Sequence, residues 1–94
     1  MPEITFKVRW PDASLSRCYS PSSTVREVFT IGRPYPLQTF VTMSRKALEH
    51  ASERVAQKYG YGCGHAVQQI REIEQTAARF ADQPQAMVVV EGYE

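Results

Sequence analysis

The sequence lacks the features that define several classes of protein. Only two of its 94 residues are cysteines, and the net charge is +1. No apolar run approaches the roughly 20 residues that span a bilayer, and the charged start MPEITFKVRW lacks the apolar region of a signal peptide. So little cysteine is atypical of a disulfide scaffold, and balanced charge argues against a dedicated nucleic-acid binder. We therefore expect one cytoplasmic domain with free thiols and no membrane association.

The chain also lacks the motifs of familiar active sites. No acid pair, serine elbow, metal-binding box or cofactor fingerprint stands out, so we expect neither a cofactor nor a bound metal ion. Residues 1–60 carry nine Lys/Arg and five Asp/Glu, whereas residues 61–94 carry two Arg and five acids. The resulting split of +4 and −3, which sums to +1, can favour contacts with a partner.

The beginning of the chain predicts a β-hairpin. Four apolar residues alternate strictly with polar ones: Ile4, Phe6, Val8 and Trp10. Alternation of this kind is typical of a strand with one buried face. Residues 11–14 supply turn chemistry, and a second strand is predicted over residues 15–19. Lys7 and Arg9 belong to the alternating polar set, so we expect them on the face opposite the core.

The segment after the hairpin predicts a short helical turn and then a loop. Thr24 and Glu27 have the spacing of a capping box, which favours a turn of helix over residues 24–29. An irregular extended segment is the alternative there. Two prolines without backbone N–H groups follow closely, so residues 31–36 are interpreted as a loop.

Two amphipathic helices are predicted in the second half. Pro36 suits the first position of a helix, and apolar residues at spacings of three and four continue from there to Gly60, where glycine favours a helix end. A second helix is predicted from about Gly64 to Ala81. Its apolar stripe is Val67, Ile70, Ile73, Ala77 and Phe80. Residues 86–90 are apolar and rich in valine, which predicts a strand buried on both faces or at a packed edge.

These elements predict a two-layer α+β domain over residues 1–94, in the order β-β-α-α-β. The helical hairpin covers one face of a three-stranded sheet, in which the last strand pairs with the first. The other face stays uncovered and displays Lys7 and Arg9. Because proteins usually cover such surfaces and edges, we expect a homodimer or a protein partner there.

The segment KYGYGCGH, residues 58–65, combines three glycines with a thiol and an imidazole. Its glycines follow a helix rather than a strand, which argues against a phosphate loop. With Cys18 and His50 it could supply four zinc ligands, but the close pairs of structural zinc sites are missing. A reactive thiol is a further interpretation, since Cys63 lies near a helix N-terminus and close to His65. We favour a bend between two helices, with Cys63 as a small buried side chain.

Four basic residues recur every four positions along the first long helix: Lys46, His50, Arg54 and Lys58. Such a row can bind an acidic partner. Beside it, Glu49 can pair with Arg45 and Lys46, and Glu53 can pair with His50, so we expect an ordinary solvated face.

Two further surfaces are candidates for binding. The hairpin carries five basic and aromatic residues: Lys7, Arg9, Trp10, Arg17 and Tyr19. Single-stranded nucleic acid prefers such a mixture, but alternation separates Trp10 from Lys7 and Arg9 and makes this partner unlikely. Arg33 and Tyr35 lie in the proline-rich loop, where they either contact a partner or pack against the edge of the core.

Several segments together resemble one known family. They are FKVRWPD, CYSPSSTV, YPLQTFVTMSRKALEHASERV and KYGYGC, and the run from Tyr35 to Val55 is the most specific. In these segments the chain resembles the small bacterial proteins of the nitrogen-starvation response, and the resemblance spans nearly its whole length.

The resemblance implies a protein encoded beside a nitrilase-like enzyme, a radical-SAM protein, a flavin oxidoreductase and an acetyltransferase. It implies no catalytic residue. Our leading hypothesis is therefore a small non-catalytic accessory protein that binds a partner. The first alternative is an enzyme or carrier that uses the Cys63 thiol with help from His65. The second is a weak nucleic-acid binder that uses the basic hairpin.

Overall fold

A computed structural model of the chain describes residues 3–60, 64–83 and 85–94, without the side chains of Lys58 and Tyr59. The elements in chain order are strands β1 (Ile4–Arg9) and β2 (Leu15–Ser20), a 3₁₀ helix (Ser23–Glu27), strand β3 (Pro34–Pro36), helices α1 (Leu37–Tyr59) and α2 (Gly64–Ala78), and strand β4 (Met87–Tyr93). The predicted α+β class is confirmed, with both helices packed against one face of the sheet.

The sheet contains four antiparallel strands in the order β2-β1-β4-β3, one more strand than predicted. The predicted pairing of the last strand with the first is confirmed, because β4 pairs with β1. β4 nevertheless lies inside the sheet and buries one face only: Val88 and Val90 are buried, whereas Val89 is half-buried. The expectation of a strand buried on both faces or at an edge is therefore wrong.

The additional strand is β3, in the segment that was expected to be a loop. Tyr35 pairs with Val88, and the Leu37 N–H donates to the Ala86 carbonyl at 2.9 Å. Successive residues of a strand direct their N–H groups to opposite sides, so positions 34 and 36 direct theirs away from β4. Proline costs no ladder hydrogen bond on that outer side, which is why an edge strand tolerates two of them.

The core lies between the sheet and the helices and is rich in aromatic rings. The Trp10 ring stacks on Phe40 of α1, with centroids 5.6 Å apart, and on Phe80, with centroids 6.3 Å apart. The Trp10 Nε1–H donates to the Ser16 hydroxyl at 2.8 Å, so its one polar group is satisfied. The predicted inner face of β1 is confirmed, since Ile4, Phe6, Val8 and Trp10 are all buried.

One of the predicted helix ends is confirmed, and two others differ from the structure. Gly60 ends α1 with φ 84°, a left-handed conformation that glycine adopts without strain. Pro36 caps α1 with ψ 142°, one residue before the helix, rather than opening it. α2 ends at Ala78 instead of Ala81, and residues 79–82 form turns.

The predicted apolar stripe is confirmed at Ile73, Ala77 and Phe80 and is wrong at Val67. Val67 is 50% exposed, and Ala66 and Gln69 are buried at the beginning of α2 instead. This difference has a polar cause, because the Gln69 Oε1 accepts a hydrogen bond from the Tyr19 N–H at 2.9 Å. That N–H belongs to the outer edge of β2, which no other strand covers. The side of α2 that faces this edge therefore carries Gln69, and Val67 points elsewhere.

The 3₁₀ helix is capped by a different residue from the one predicted. The Ser22 hydroxyl accepts from the Thr24 N–H at 3.3 Å, so Ser22 is the cap. The Thr24 hydroxyl is enclosed and has no hydrogen-bond partner among the described residues. Val25 and Phe29 are buried, which confirms the predicted apolar face of this turn.

The hairpin turn between β1 and β2 contains a left-handed residue that is not glycine. Asp12 Oδ1 accepts from the Ser14 N–H at 3.0 Å and from the Ser14 hydroxyl at 2.5 Å. The Trp10 N–H donates to the Ser14 carbonyl at 2.9 Å, which closes a three-residue loop. Ala13 completes this loop with φ 70°, a conformation that is strained for any residue with a Cβ.

We predict that Ala13→Gly stabilises the fold. The left-handed conformation costs alanine about 1–2 kcal/mol, and the extra freedom of glycine in the unfolded chain offsets only part of the relief. The free energy of unfolding, measured by urea denaturation, should rise by about 0.5–1 kcal/mol. Ala81→Gly is the matched control, because Ala81 is also exposed in a turn but lacks a positive φ. It should lower the same quantity, and stabilisation by both changes would contradict the prediction.

We predict that Gln69→Leu destabilises the fold. Leucine has a similar size but removes the acceptor that α2 provides to the Tyr19 N–H. The expected loss is about 1–2 kcal/mol in the free energy of unfolding. Gln68→Leu, at an exposed neighbouring position on the same helix, should change it by less than about 0.5 kcal/mol. Equal effects of the two substitutions would show that the hydrogen bond is unimportant.

Candidate functional site

The face of the sheet opposite the helices carries charged side chains that are already paired. We call it the open face. On it, Lys7 Nζ lies 2.9 Å from Glu94 Oε1, Arg17 also pairs with Glu94, and Arg9 pairs with Glu91. The hydrogen bond from Lys7, followed by the charge of Arg17, holds the pKa of Glu94 below its usual value. The three cations of the open face therefore share two carboxylates, Glu91 and Glu94, which compensate most of their charge.

Apolar residues lie beside these ion pairs on the open face. The strand register aligns Leu15 with Arg9, Arg9 with Val89, and Val89 with Pro34, and the next pair is Met87 with Pro36. We call this set the apolar row, defined as Leu15, Pro34, Pro36, Met87 and Val89. Leu15 is 62% exposed and Met87 is 50% exposed. Large apolar side chains grouped at such exposure are typical of an interaction surface.

A groove of about 280 Å³ lies on the helical side, between the 3₁₀ helix and α1. We call it the α1 groove, and its lining consists of Thr24, Glu27, Val28, Met43, Lys46, Ala47 and His50. Lys46 and His50, two members of the predicted basic row, therefore line the groove together with residues of the 3₁₀ helix region. Arg54 is exposed farther along α1, and the side chain of Lys58 is outside the described residues.

The ion pairs expected along α1 form only in part. Glu49 Oε1 accepts from the Arg45 Nε–H at 2.9 Å, which confirms the expected pair with Arg45. Within the described part of the chain, neither Lys46 nor His50 forms an ion pair. The expected pairing of Glu53 with His50 is not formed.

The two residues predicted in the proline-rich loop differ in their accessibility. Tyr35 is only 6% exposed, its hydroxyl accepts from the Thr30 N–H at 2.9 Å, and its ring meets the edge of Phe29. This is the packed alternative, so the Tyr35 ring is not displayed to a partner. Arg33 remains exposed, with its guanidinium 5.5 Å from the centre of the Tyr35 ring.

The cysteine and histidine candidates do not form a common site among the described residues. Cys63 lies outside them, and His65 is exposed in the first turn of α2, where its ring lies 5.7 Å from that of Tyr19. Cys18 is 1% exposed beside a groove of about 340 Å³ between β2 and α2. Burial, with a smaller effect from the charge of Glu72, raises the pKa of the Cys18 thiol to about 12. This thiol is therefore protonated at neutral pH and is a poor nucleophile.

Over residues 3–60, 64–83 and 85–94, no three His, Cys, Asp or Glu side chains lie close enough together to hold a metal ion. None of the helices in the same ranges combines the length and the apolar character needed to cross a bilayer.

Comparison with known families gives a match that covers most of the chain. Residues 5–93 match the family described as nitrogen starvation-induced protein NitG. The chain belongs to the NitG family. The matched NitG region includes both strands of the hairpin, both helices and the whole α1 groove. Searches of curated proteins and of solved structures find no match.

The sequence patterns did not place some residues of this NitG chain in a candidate site. Glu91 and Glu94 pair with the cations of the open face. A predicted last strand that continued beyond residue 90 beside β1 would have placed them there. Thr24 and Glu27 line the α1 groove, but nothing in their local sequence indicates contact with a helix that begins ten residues later.

We predict that Cys18 of this NitG chain resists alkylation while the protein is folded. In a Cys63→Ser variant, which leaves Cys18 as the only thiol, iodoacetamide labelling followed by intact mass should stay slow from neutral pH to about pH 10. The same variant in concentrated urea should react as a model thiol with a pKa near 8.5. Labelling of the folded protein at the rate of the unfolded one would contradict the buried position of Cys18.

Proposed function

We propose that this NitG-family chain is a small non-catalytic binding protein of the nitrogen-starvation response, and that a protein partner docks on its open face. The family name supports the link to nitrogen starvation. Cytoplasmic action belongs to the same proposal. The surface of the partner is expected to be neutral and largely apolar, and it contacts the apolar row.

The pairing of the charges on the open face is the observation that carries this proposal. Lys7, Arg9 and Arg17 each have a carboxylate partner, so the face offers no free cation of β1 or β2 to an anionic ligand. Binding of nucleic acid relies on cations that are free to replace counterions at phosphates. The open face is therefore poorly suited to nucleic acid, and the basic-hairpin alternative receives no support from it.

The apolar row supplies the attractive surface that the paired charges do not. Leu15 and Met87 are among the four most exposed large apolar side chains of the described structure. Burial of such side chains by a partner stabilises a complex, and the flanking ion pairs form the polar rim that interfaces usually have. A second copy of the chain is one protein that could bind to the same surface.

Support for a non-catalytic role comes from the candidate nucleophiles and bases. The Cys18 thiol is buried and protonated, and His65 packs against Tyr19 in the described structure. His50 lies in the α1 groove, on the helical side of the molecule. No described residue completes the enzyme or carrier that was considered for Cys63.

We predict that Met87→Glu and Leu15→Glu each weaken partner binding by about tenfold or more, because each loses roughly 1–2 kcal/mol of apolar burial and places a carboxylate in the interface. Both positions are exposed, so the variants should fold. The immobilised chain is exposed to extracts of nitrogen-starved cells, retained proteins are quantified by mass spectrometry, and the affinity of the purified partner is then measured.

Val67→Glu is the matched control for this experiment. Val67 is 50% exposed, like Met87, but it lies on α2 and outside the open face. It should leave binding unchanged. Sedimentation of the pure chain tests whether the partner is a second copy. The proposal fails if the chain is monomeric and retains no stoichiometric protein, or if Val67→Glu weakens binding as much as Met87→Glu.

A further inference from the structure

The α1 groove has the size and the shape of a small-ligand site. Its volume of about 280 Å³ is close to the lower end of the range for small-molecule pockets, roughly 300–1,000 Å³. A compact molecule fills such a space. The groove lies on the helical side, so it is separate from the open face and independent of the partner proposed for that face.

The inner part of the groove is apolar. Val28 and Met43 are half-buried, and Ala47 is buried beneath them in α1. These three side chains present methyl, methylene and thioether groups, which favour an aliphatic or thioether substituent of a ligand. Methionine adapts its shape to different apolar groups, so Met43 suits a site that accepts side chains of similar size.

Unpaired charges of both signs lie around the apolar part. Glu27 comes from the 3₁₀ helix, and Lys46 and His50 come from α1. Although all three line one groove, the described structure contains no ion pair between Glu27 and either basic residue. The groove keeps the opposite charges apart, whereas the cations of the open face are all paired. A ligand that carries both charges can interact with both walls at once.

Thr24 adds a polar group that lacks a partner. Its hydroxyl is enclosed and makes no hydrogen bond within residues 3–60, 64–83 and 85–94, although buried hydroxyls normally have one. Thr24 itself lines the groove.

We propose that the α1 groove binds a small zwitterion, specifically an α-amino acid with an apolar side chain. The ammonium group pairs with Glu27, and the carboxylate pairs with Lys46 and His50. The side chain packs on Val28, Met43 and Ala47. A simple carboxylate would leave Glu27 without a partner and repelled by the ligand, and a simple amine would leave Lys46 in the same position.

The test uses the full chain, with L-leucine and L-methionine as probes and two analogues of leucine. Isocaproate lacks the amino group, and isoamylamine lacks the carboxylate. Binding is followed at millimolar concentrations by heteronuclear NMR, which reports both affinity and location. We expect both amino acids to shift the signals of Val28, Met43 and Ala47, and each analogue to bind about tenfold more weakly or worse, because a charge-assisted contact is lost.

Matched substitutions locate the charges. Glu27→Gln and Lys46→Gln should each weaken leucine binding by about tenfold, because each removes one charged wall. Glu53→Gln and Arg54→Gln are the controls, since both residues are exposed on α1 and neither lines the groove. All four positions are exposed, and thermal unfolding checks that each variant remains folded.

Three results would overturn the proposal. The first is the absence of any shift with leucine or methionine, and the second is isocaproate or isoamylamine binding as well as leucine. The third is a control substitution that weakens binding as much as Glu27→Gln or Lys46→Gln. Loss of the partner through Met87→Glu leaves the site untouched, so failure of one proposal is distinguishable from failure of the other.

Discussion

Pairing of β1 on both of its edges is the constraint on which the rest of the structure depends. β2 forms one ladder with it and β4 forms the other, so the first strand of the chain lies inside the sheet. Its inner face contributes Phe6, Val8 and Trp10 to the core. The ring of Trp10 in turn contacts Phe40 and Phe80, which connects both helical segments to the same strand. The alternation of β1 therefore decides which face is buried and which face is open.

The division into two faces separates two kinds of surface chemistry. On the open face, β4 brings Glu91 and Glu94 beside the cations of the hairpin, and the result is a nearly neutral surface with exposed apolar groups. On the helical side, the 3₁₀ helix lies against α1 and leaves charges of both signs unpaired around an apolar groove. The first surface suits a broad neutral partner, and the second suits a compact charged molecule.

Much of this fold follows from local sequence patterns, because they report which face of an element is buried. The period of two in β1 predicts its inner face, and Gly60 marks the end of α1. Other features depend on what a distant segment needs. Gln69 is buried because the edge of β2 requires an acceptor, and no helical periodicity reveals that requirement. The alternation in β1 predicts that Lys7 and Arg9 lie on the open face. The pairing of their charges depends on the strand register that places β4 beside them. The α1 groove was indicated only by its basic wall, since its other wall lies about twenty residues earlier in the chain.

The two prolines of β3 have a consequence for assembly. An endless sheet grows only when each molecule offers two hydrogen-bonding edges, one for the neighbour before it and one for the neighbour after it. β3 forms one outer edge, and its residues 34 and 36 have no N–H to donate on that side. The edge at β2 retains more of its donors, although Gln69 already occupies the Tyr19 N–H, so strand-to-strand association would end at a closed pair. The fold thus protects itself against fibrous growth without covering its open face.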